Sequence, residues 1–292
     1  MIKFKLKLKK ILQKNQIIYQ IIFLLYKLIN YPKNYLNFKK NLKIKKKSFD
    51  DYEKNKGLID VNYAGLDLKF QAFSPLNYYH LRIGSQHENL FFKKLFKNIK
   101  KGMIIFDIGG HVGMYTIPFA KAVGDKGYVY AFEPEKIGFE YLKKNIELNK
   151  VYNTKVFPYA LSNETSKTNF YIRPDKDTHS LFERTLAPSK TKKQEVQTIE
   201  TFKIDDLLDK GLTKEPDFIK IDTEGAELKI LNGLNRKYQK LKYIFVEIHP
   251  DALKLDNIPH PEEAIEKKLI EMGFNQVEYL DKNHILAKKS NV

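Results

Sequence analysis

Three clusters of residues in this 292-residue sequence could do chemistry together, and each closes an apolar run. The first is Phe106-Asp107-Ile108-Gly109-Gly110-His111-Val112-Gly113. Glycine is needed where the backbone turns sharply and approaches a ligand with no Cβ in the way. Between a strand and a helix, such a loop offers backbone N–H groups to a ligand carboxylate. Gly109 and Gly113 stand four apart, which is not the G-x-G-x-x-G spacing of dinucleotide loops. Asp107, ahead of the first glycine, would repel a pyrophosphate but can pair with the ammonium of a methionine moiety. The second cluster is Ala131-Phe132-Glu133-Pro134, with Glu133 26 residues beyond Asp107. A carboxylate at that strand end can accept both ribose hydroxyls of an adenosine. NAD sites share the device, so Glu133 alone does not choose the cofactor.

The third cluster runs from Asp217 to Glu227, Asp217-Phe218-Ile219-Lys220-Ile221-Asp222-Thr223-Glu224-Gly225-Ala226-Glu227. Strand alternation puts Lys220 and Asp222 on one side, with Asp222 at the C-terminal end, where α/β sites lie. A carboxylate there could accept the proton of an acceptor hydroxyl or hold a cationic cofactor. Glu224 and Glu227 also suit a helix N-terminus, whose dipole favours carboxylates. Glu247-Ile248-His249-Pro250 adds a second titratable pair at the same edge. Asp222, Glu224 and His249 are therefore the candidate catalytic groups. Asp107, Gly109, Gly110, His111, Gly113, Glu133 and Asp222 are the candidate cofactor contacts. Asp222, Glu247 and His249 could meet a divalent ion, but no cluster has clear ligand spacing and no metal is expected. The absence of cysteine excludes thiolate sites, cysteine nucleophiles and disulfides.

These groups need elements to position them. The sequence repeats strand, glycine turn and helix, the signature of a mostly parallel sheet covered on both faces. Strands are expected at Met103–Ile108, Tyr128–Glu133, Thr154–Leu161, Phe218–Asp222 and Tyr243–Ile248. Helices are expected at Met114–Val123, Glu135–Asn149, Gly225–Leu231 and Pro261–Met272. Phe274–Leu280 and His284–Lys288 then read as an antiparallel hairpin, where a dinucleotide domain would continue with parallel strands. Ahead of the repeat, residues 58–100 read as a hairpin around Ala64-Gly65 and a helix over His87–Ile99. The α/β domain is expected over residues 101–292, with an insertion at 162–215 assigned to acceptor recognition.

The net charge of +17 is uneven. Residues 1–47 hold fourteen lysines and no acid, leaving +3 for the rest. Gln16–Asn30 forms a broad apolar helical face with a narrow polar stripe. The run falls short of the ~20 apolar residues of a transmembrane helix. No small-residue cleavage site follows it, so no cleaved signal is expected. A basic amphipathic arm over 1–47 suits an anionic membrane surface; a helix docked on the body and an uncleaved signal anchor are the alternatives. Lys39–Lys47 reads as a charged linker. The expected location is cytoplasmic, peripheral at the membrane.

The set FDIGGHVGMYT, AFEPE with Asn145 and Asn149, Asp205-Asp206-Leu207, FIKIDTEGAE and VEIHP resembles the FkbM family of S-adenosylmethionine-dependent methyltransferases. The resemblance covers about Glu88 to His249. It implies the Rossmann-like class I methyltransferase fold, a mostly parallel seven-stranded sheet with an antiparallel C-terminal hairpin. It also implies O-methylation of a sugar, glycolipid or related metabolite. Asp107, Gly109 and Gly113 would hold the methionine end of S-adenosyl-L-methionine and Glu133 its ribose, while Asp222, Glu224 and Glu227 would line the transfer site. Gly110-His111 stands where the family commonly has Ala-Asn. The alternatives are an RNA 2′-O-methyltransferase, which the near-neutral body disfavours for want of a phosphate-binding stripe, and a non-catalytic module tethered by the arm. Oligomeric state is not legible.

Overall fold

A computed structural model describes residues 41–172, 179–180, 195–236 and 238–289. The arm as far as residue 40 and much of the polar insertion loop, Arg184 included, lie outside the described residues. The described residues divide into two compact units after Asp50. Residues 41–54 are helical, where the charge run suggested a linker. Among the described residues, no helix is long and apolar enough to cross a membrane.

The sheet is built on apolar strands: β3 (Ile104–Ile108), β4 (Tyr128–Phe132), β5 (Thr154–Phe157), β10 (Phe218–Ile221), β11 (Tyr243–Glu247), β12 (Gln276–Tyr279) and β13 (His284–Lys288). Their order is β12-β13-β11-β10-β3-β4-β5. Neighbours from β11 through β5 are parallel, while β13 runs antiparallel to both β11 and β12. This is the class I methyltransferase plan. The four residues of β10 and the central residues of β11 are buried, because helices cover both faces. Two apolar clusters form the core, one around Phe119, Phe218 and Phe245 and the other around Phe106, Ile219 and Ile244.

From β3 the chain winds to β4 and β5 on one side, then returns to β10 and β11 on the other. Strand order therefore reverses at β3, and a ligand crevice is expected at the C-terminal ends of β3 and β10. Helices α3 (Thr116–Val123), α4 (Lys136–Asn149), α6 (Glu227–Asn232), α7 (Pro250–Leu255) and α8 (Pro261–Glu271) follow the strands.

The N-terminal hairpin pairs β1 (Leu58–Tyr63) with β2 (Leu66–Gln71). Its free edge docks on α4 through two asparagines one turn apart. The Asn149 side chain receives Lys69 N–H at 3.1 Å and donates to Lys69 C=O at 2.6 Å. Asn145 receives Gln71 N–H at 2.7 Å and donates to Val112 C=O at 2.9 Å, which ties the hairpin to the glycine loop. A helix face thus satisfies strand groups that an edge would leave unpaired.

Three expectations need correction. The helix expected over His87–Ile99 is α2 (Asn89–Phe96), preceded by α1 (Pro75–His87). Ser74 caps α1 by accepting Asn77 N–H at 3.0 Å, with Pro75 at the first position. The strand expected at Thr154–Leu161 is two pieces, because Pro158 has no N–H for a ladder. The second, β6 (Ala160–Leu161), joins β7 (Ser166–Ile172), β8 (His179–Ser180) and β9 (Glu195–Phe202) in a separate sheet ordered β6-β9-β7-β8. The insertion's described residues supply three strands of that sheet, and the chain returns to the core through α5 (Ile204–Asp209). Finally, α7 follows His249-Pro250 where no helix was expected.

Candidate active site

A cavity of about 760 Å³, its open mouth included, lies at the C-terminal ends of β3, β4 and β10. Gly109, His111 and Glu133 line it from the β3–β4 side, and Asp222, Thr223 and Glu224 from the β10 side. Phe132, Tyr159, Leu161 and Phe170 make a largely apolar end. Gly110, Gly113, Asp107 and His249 do not line it, although each touches a residue or loop that does.

The glycine loop is built by close approach. Gly109 has φ +79°, and a Cβ there would lie 1.9 Å from Asp222 C=O. Gly113 has φ +95°, with a Cβ meeting Leu142 at 2.7 Å. Gly109 therefore excludes larger residues by backbone conformation and by space, and Gly113 chiefly by its backbone conformation. Gly109 and Gly110 donate to Phe132 C=O at 3.0 and 3.1 Å, fastening the loop to the end of β4.

Glu133 is 5% exposed. One oxygen accepts His111 N–H at 2.7 Å and the other Glu135 N–H at 2.8 Å. Burial pushes its carboxyl up to about 7, although these two amides and nearby Lys220 favour the ionised form. Each carboxylate oxygen keeps a second acceptor position, so a vicinal diol could still be received.

Lys220 and Asp107 are register partners on β10 and β3, so their side chains share a face. Both are buried. Lys220 Nζ lies 3.1 Å from Asp107 Oδ1 and 3.5 Å from Asp222 Oδ2, and donates to Gly109 C=O at 2.8 Å. Burial alone would lower its ammonium, but Asp107 and Asp222 outweigh that and hold it above its ordinary value. The second Asp107 oxygen accepts the Thr116 hydroxyl at 2.5 Å. Asp107 therefore lies beneath the loop with both oxygens engaged, where the sequence suggested direct contact with a ligand ammonium.

On the β10 side, His249 Nδ1 lies 2.8 Å from Glu227 Oε1. Its Nε2 faces Asp222, Glu224 and Glu247 at 3.8, 3.7 and 3.9 Å. Burial works against an imidazolium, but the Glu227 hydrogen bond and the surrounding carboxylates raise His249 to about 10. Asp222 is disfavoured as an anion by burial, yet Lys220 and His249 pull it below its usual value. Glu224 is pushed up to about 7 by burial and the neighbouring acids, against the pull of His249. Glu247 also faces His284 at 3.3 Å, and His284 is held by Asp281 at 2.8 Å.

The chain matches the methyltransferase FkbM domain over residues 107–275. It belongs to that family. The chain is 27% identical over 159 residues to the hexuronic acid methyltransferase AglP of Haloferax volcanii, covering 53% of this chain and 59% of that protein. It is 27% identical over 152 residues to methyltransferase 1 of Beauveria bassiana, covering 47% and 60%. The match thus spans about three fifths of the length of these relatives. Among solved structures, a SAM dependent methyltransferase from Aquifex aeolicus aligns at TM-score 0.39 and 15% identity, covering 67% of this chain and 86% of that one.

The FkbM match takes in all three clusters found in the sequence, from Asp107 onward. The departure at Gly110-His111 also acquires a physical reason. His111 adopts φ +47°, a left-handed conformation in which Asn, Asp and His are the favoured non-glycine residues. Its working group toward Glu133 is the backbone N–H, which an asparagine would supply equally. Lys220 is the site residue that sequence reasoning left out of the candidate set. Its signal was available, a lone cation among the buried apolar residues of a central strand, which requires a buried counter-ion.

Proposed function

We propose that this chain transfers the methyl group of S-adenosylmethionine to a hydroxyl of a sugar or related small metabolite. The observation that carries the reading is one cavity bounded by a diol-accepting carboxylate, Glu133, and by a ring of acids around Asp222. The residues present fit the donor. Glu133 would accept the ribose hydroxyls, the aromatic end would cover the adenine, and the acids on the β10 side suit a molecule carrying sulfonium and ammonium charges. When bound, the donor supplies an electrophilic methyl for in-line displacement.

The protein contributes alignment and a place for the proton. Asp222 stays ionised through Lys220 and His249 and faces the cavity, so it can orient the acceptor hydroxyl and take its proton. Asp107 acts through Lys220, holding the loop carbonyl of Gly109 and the Asp222 carboxylate in one arrangement. A sugar acceptor is suggested by the name of the archaeal relative. Residues 1–47 are proposed to bring the enzyme to anionic membrane surfaces, which liposome flotation of full-length and shortened chains would check.

Asp222→Asn keeps shape but removes charge. It should leave donor binding nearly intact and cut turnover by about 10²–10⁴-fold, measured on a panel of sugars, glycolipid extracts and short RNAs. Unchanged turnover would move proton acceptance to Glu224 or His249. Methylation of RNA alone would replace the sugar reading.

A further inference from the structure

We infer that Asp222, Glu247 and His249 form a binding site for a divalent metal ion beside the methyl-transfer position. This deepens the function proposed above and rests on it. The three residues come from the ends of two adjacent strands, β10 and β11, and each offers one ligand atom, all within 4.8 Å of one another. Ligands around a six-coordinate ion at ordinary bond lengths stand about 3 Å apart when adjacent and about 4 Å apart when opposite. Small rotations of side chains already 18–30% exposed would close that difference.

The His249 ring is arranged as a ligand. Nδ1 is fixed by Glu227, the carboxylate–histidine pairing that orients a metal-binding imidazole. Nε2 points at three carboxylate oxygens, each 3.7–3.9 Å away, too far for a hydrogen bond and open enough for an ion between them. An independent observation comes from beneath the ring. Glu227 is fully buried, and its second oxygen, Oε2, has no hydrogen-bond partner among the described residues. A buried carboxylate so placed is costly unless further positive charge is close by. Asp107, Asp222, Glu224, Glu227 and Glu247 outnumber the cationic groups set against them, Lys220, His249 and His284, and Lys220 is shared between Asp107 and Asp222.

Two carboxylates and one imidazole nitrogen suit a first-row ion such as Mn²⁺ better than Mg²⁺ or Ca²⁺, which take oxygen ligands. An ion there would hold the acceptor oxygen and lower the pKa of its hydroxyl. As the O–CH₃ bond forms, the S–CH₃ bond breaks and sulfur keeps the electron pair. The hydroxyl proton then passes to Glu224, the other cavity-facing carboxylate of the ring, because with an ion bound Asp222 serves as its ligand and gives up the proton-accepting role assigned to it above.

The test is Mn²⁺ binding to the full chain, followed by electron paramagnetic resonance of the free ion, with S-adenosylmethionine binding measured in parallel by calorimetry. The parent should bind one Mn²⁺, and Glu247→Gln and His249→Asn should each weaken it by at least about tenfold. Retained donor affinity would show that the variants are folded. No Mn²⁺ uptake by the parent, or equal uptake by parent and both variants, overturns the inference. In that case methyl transfer undiminished by chelator leaves the methyltransferase reading standing. Mn²⁺ binding without donor binding would instead overturn that reading and keep the metal site.

Discussion

The two walls of the cavity hold their carboxylates by different means. On the β3–β4 side, Glu133 is gripped by two backbone amides, and the loop that supplies one of them is shaped by glycines. On the β10–β11 side, Asp222, Glu224, Glu227 and Glu247 are gathered around His249 and Lys220 by charge, with one backbone amide, Gly225 N–H to Glu227, contributing. Backbone donors are set by the path of the chain and outlast changes of side chain. A ring of buried charges is only as stable as its balance, since loss of one member leaves the others uncompensated. The donor wall should therefore tolerate substitution at the non-glycine positions of its loop, and the acceptor wall should not.

The largest effect expected from this contrast is at Lys220. Lys220→Met keeps length and apolar stem but strands Asp107, which is fully buried, and removes the donor to Gly109 C=O. Breaking a buried pair from one side costs about 3–5 kcal/mol. Urea unfolding should show a loss of that size, and the double variant Lys220→Met/Asp107→Leu should recover much of it. A loss near zero in the single variant would mean that the acceptor wall is not held by charge.

Glu133 tests the other wall. Glu133→Ala should weaken S-adenosylmethionine binding by about 1.5–3 kcal/mol, the worth of charge-assisted hydrogen bonds, with little change in unfolding. The pH dependence sharpens the point. A carboxyl raised to about 7 in the fold makes the native state hold its proton longer than the unfolded chain does. Stability from this group is therefore highest below the ordinary carboxylate value and declines as pH rises through 7. Donor affinity should run the opposite way, rising by up to about tenfold between pH 6 and 8 as Glu133 ionises. Calorimetry across that range should find the step in the parent and lose it in Glu133→Gln.

How legible each wall was in the sequence follows from the same difference. The loop and Glu133 announce themselves through local spacing, because glycines and strand ends are read along the chain. Most strands of the seven-stranded sheet were legible too, since each is a short apolar run with a turn behind it. The acceptor wall depends on contacts across the sheet. That Lys220 stands opposite Asp107, or that Glu227 reaches His249 across 22 residues, is set by strand register, which no local pattern displays. Asp107 shows the cost of reading locally, since its place before the glycine suggested ligand contact and its neighbour on β10 puts it in the interior. The single strand expected over Thr154–Leu161 failed for a similar reason, as β6 leaves the main sheet to pair with β9 some forty residues on.

The smallest expected effect is at His111, where the donor wall should absorb a change of side chain. His111→Asn retains the left-handed preference and the N–H that Glu133 accepts, losing mainly the edge contact of the ring with Phe73 at 5.7 Å. Such a contact is worth about 0.5–1.5 kcal/mol, so unfolding should shift within that range and donor affinity should hardly move. His111→Pro is the matching break. It removes the N–H and forces φ to about −65°, so it should lose donor affinity to the same extent as Glu133→Ala while leaving every side chain of the acceptor wall in place. If the asparagine variant instead loses affinity as severely as the proline variant, the imidazole itself contacts the donor. The division between a wall held by backbone and a wall held by charge would then fail at this position.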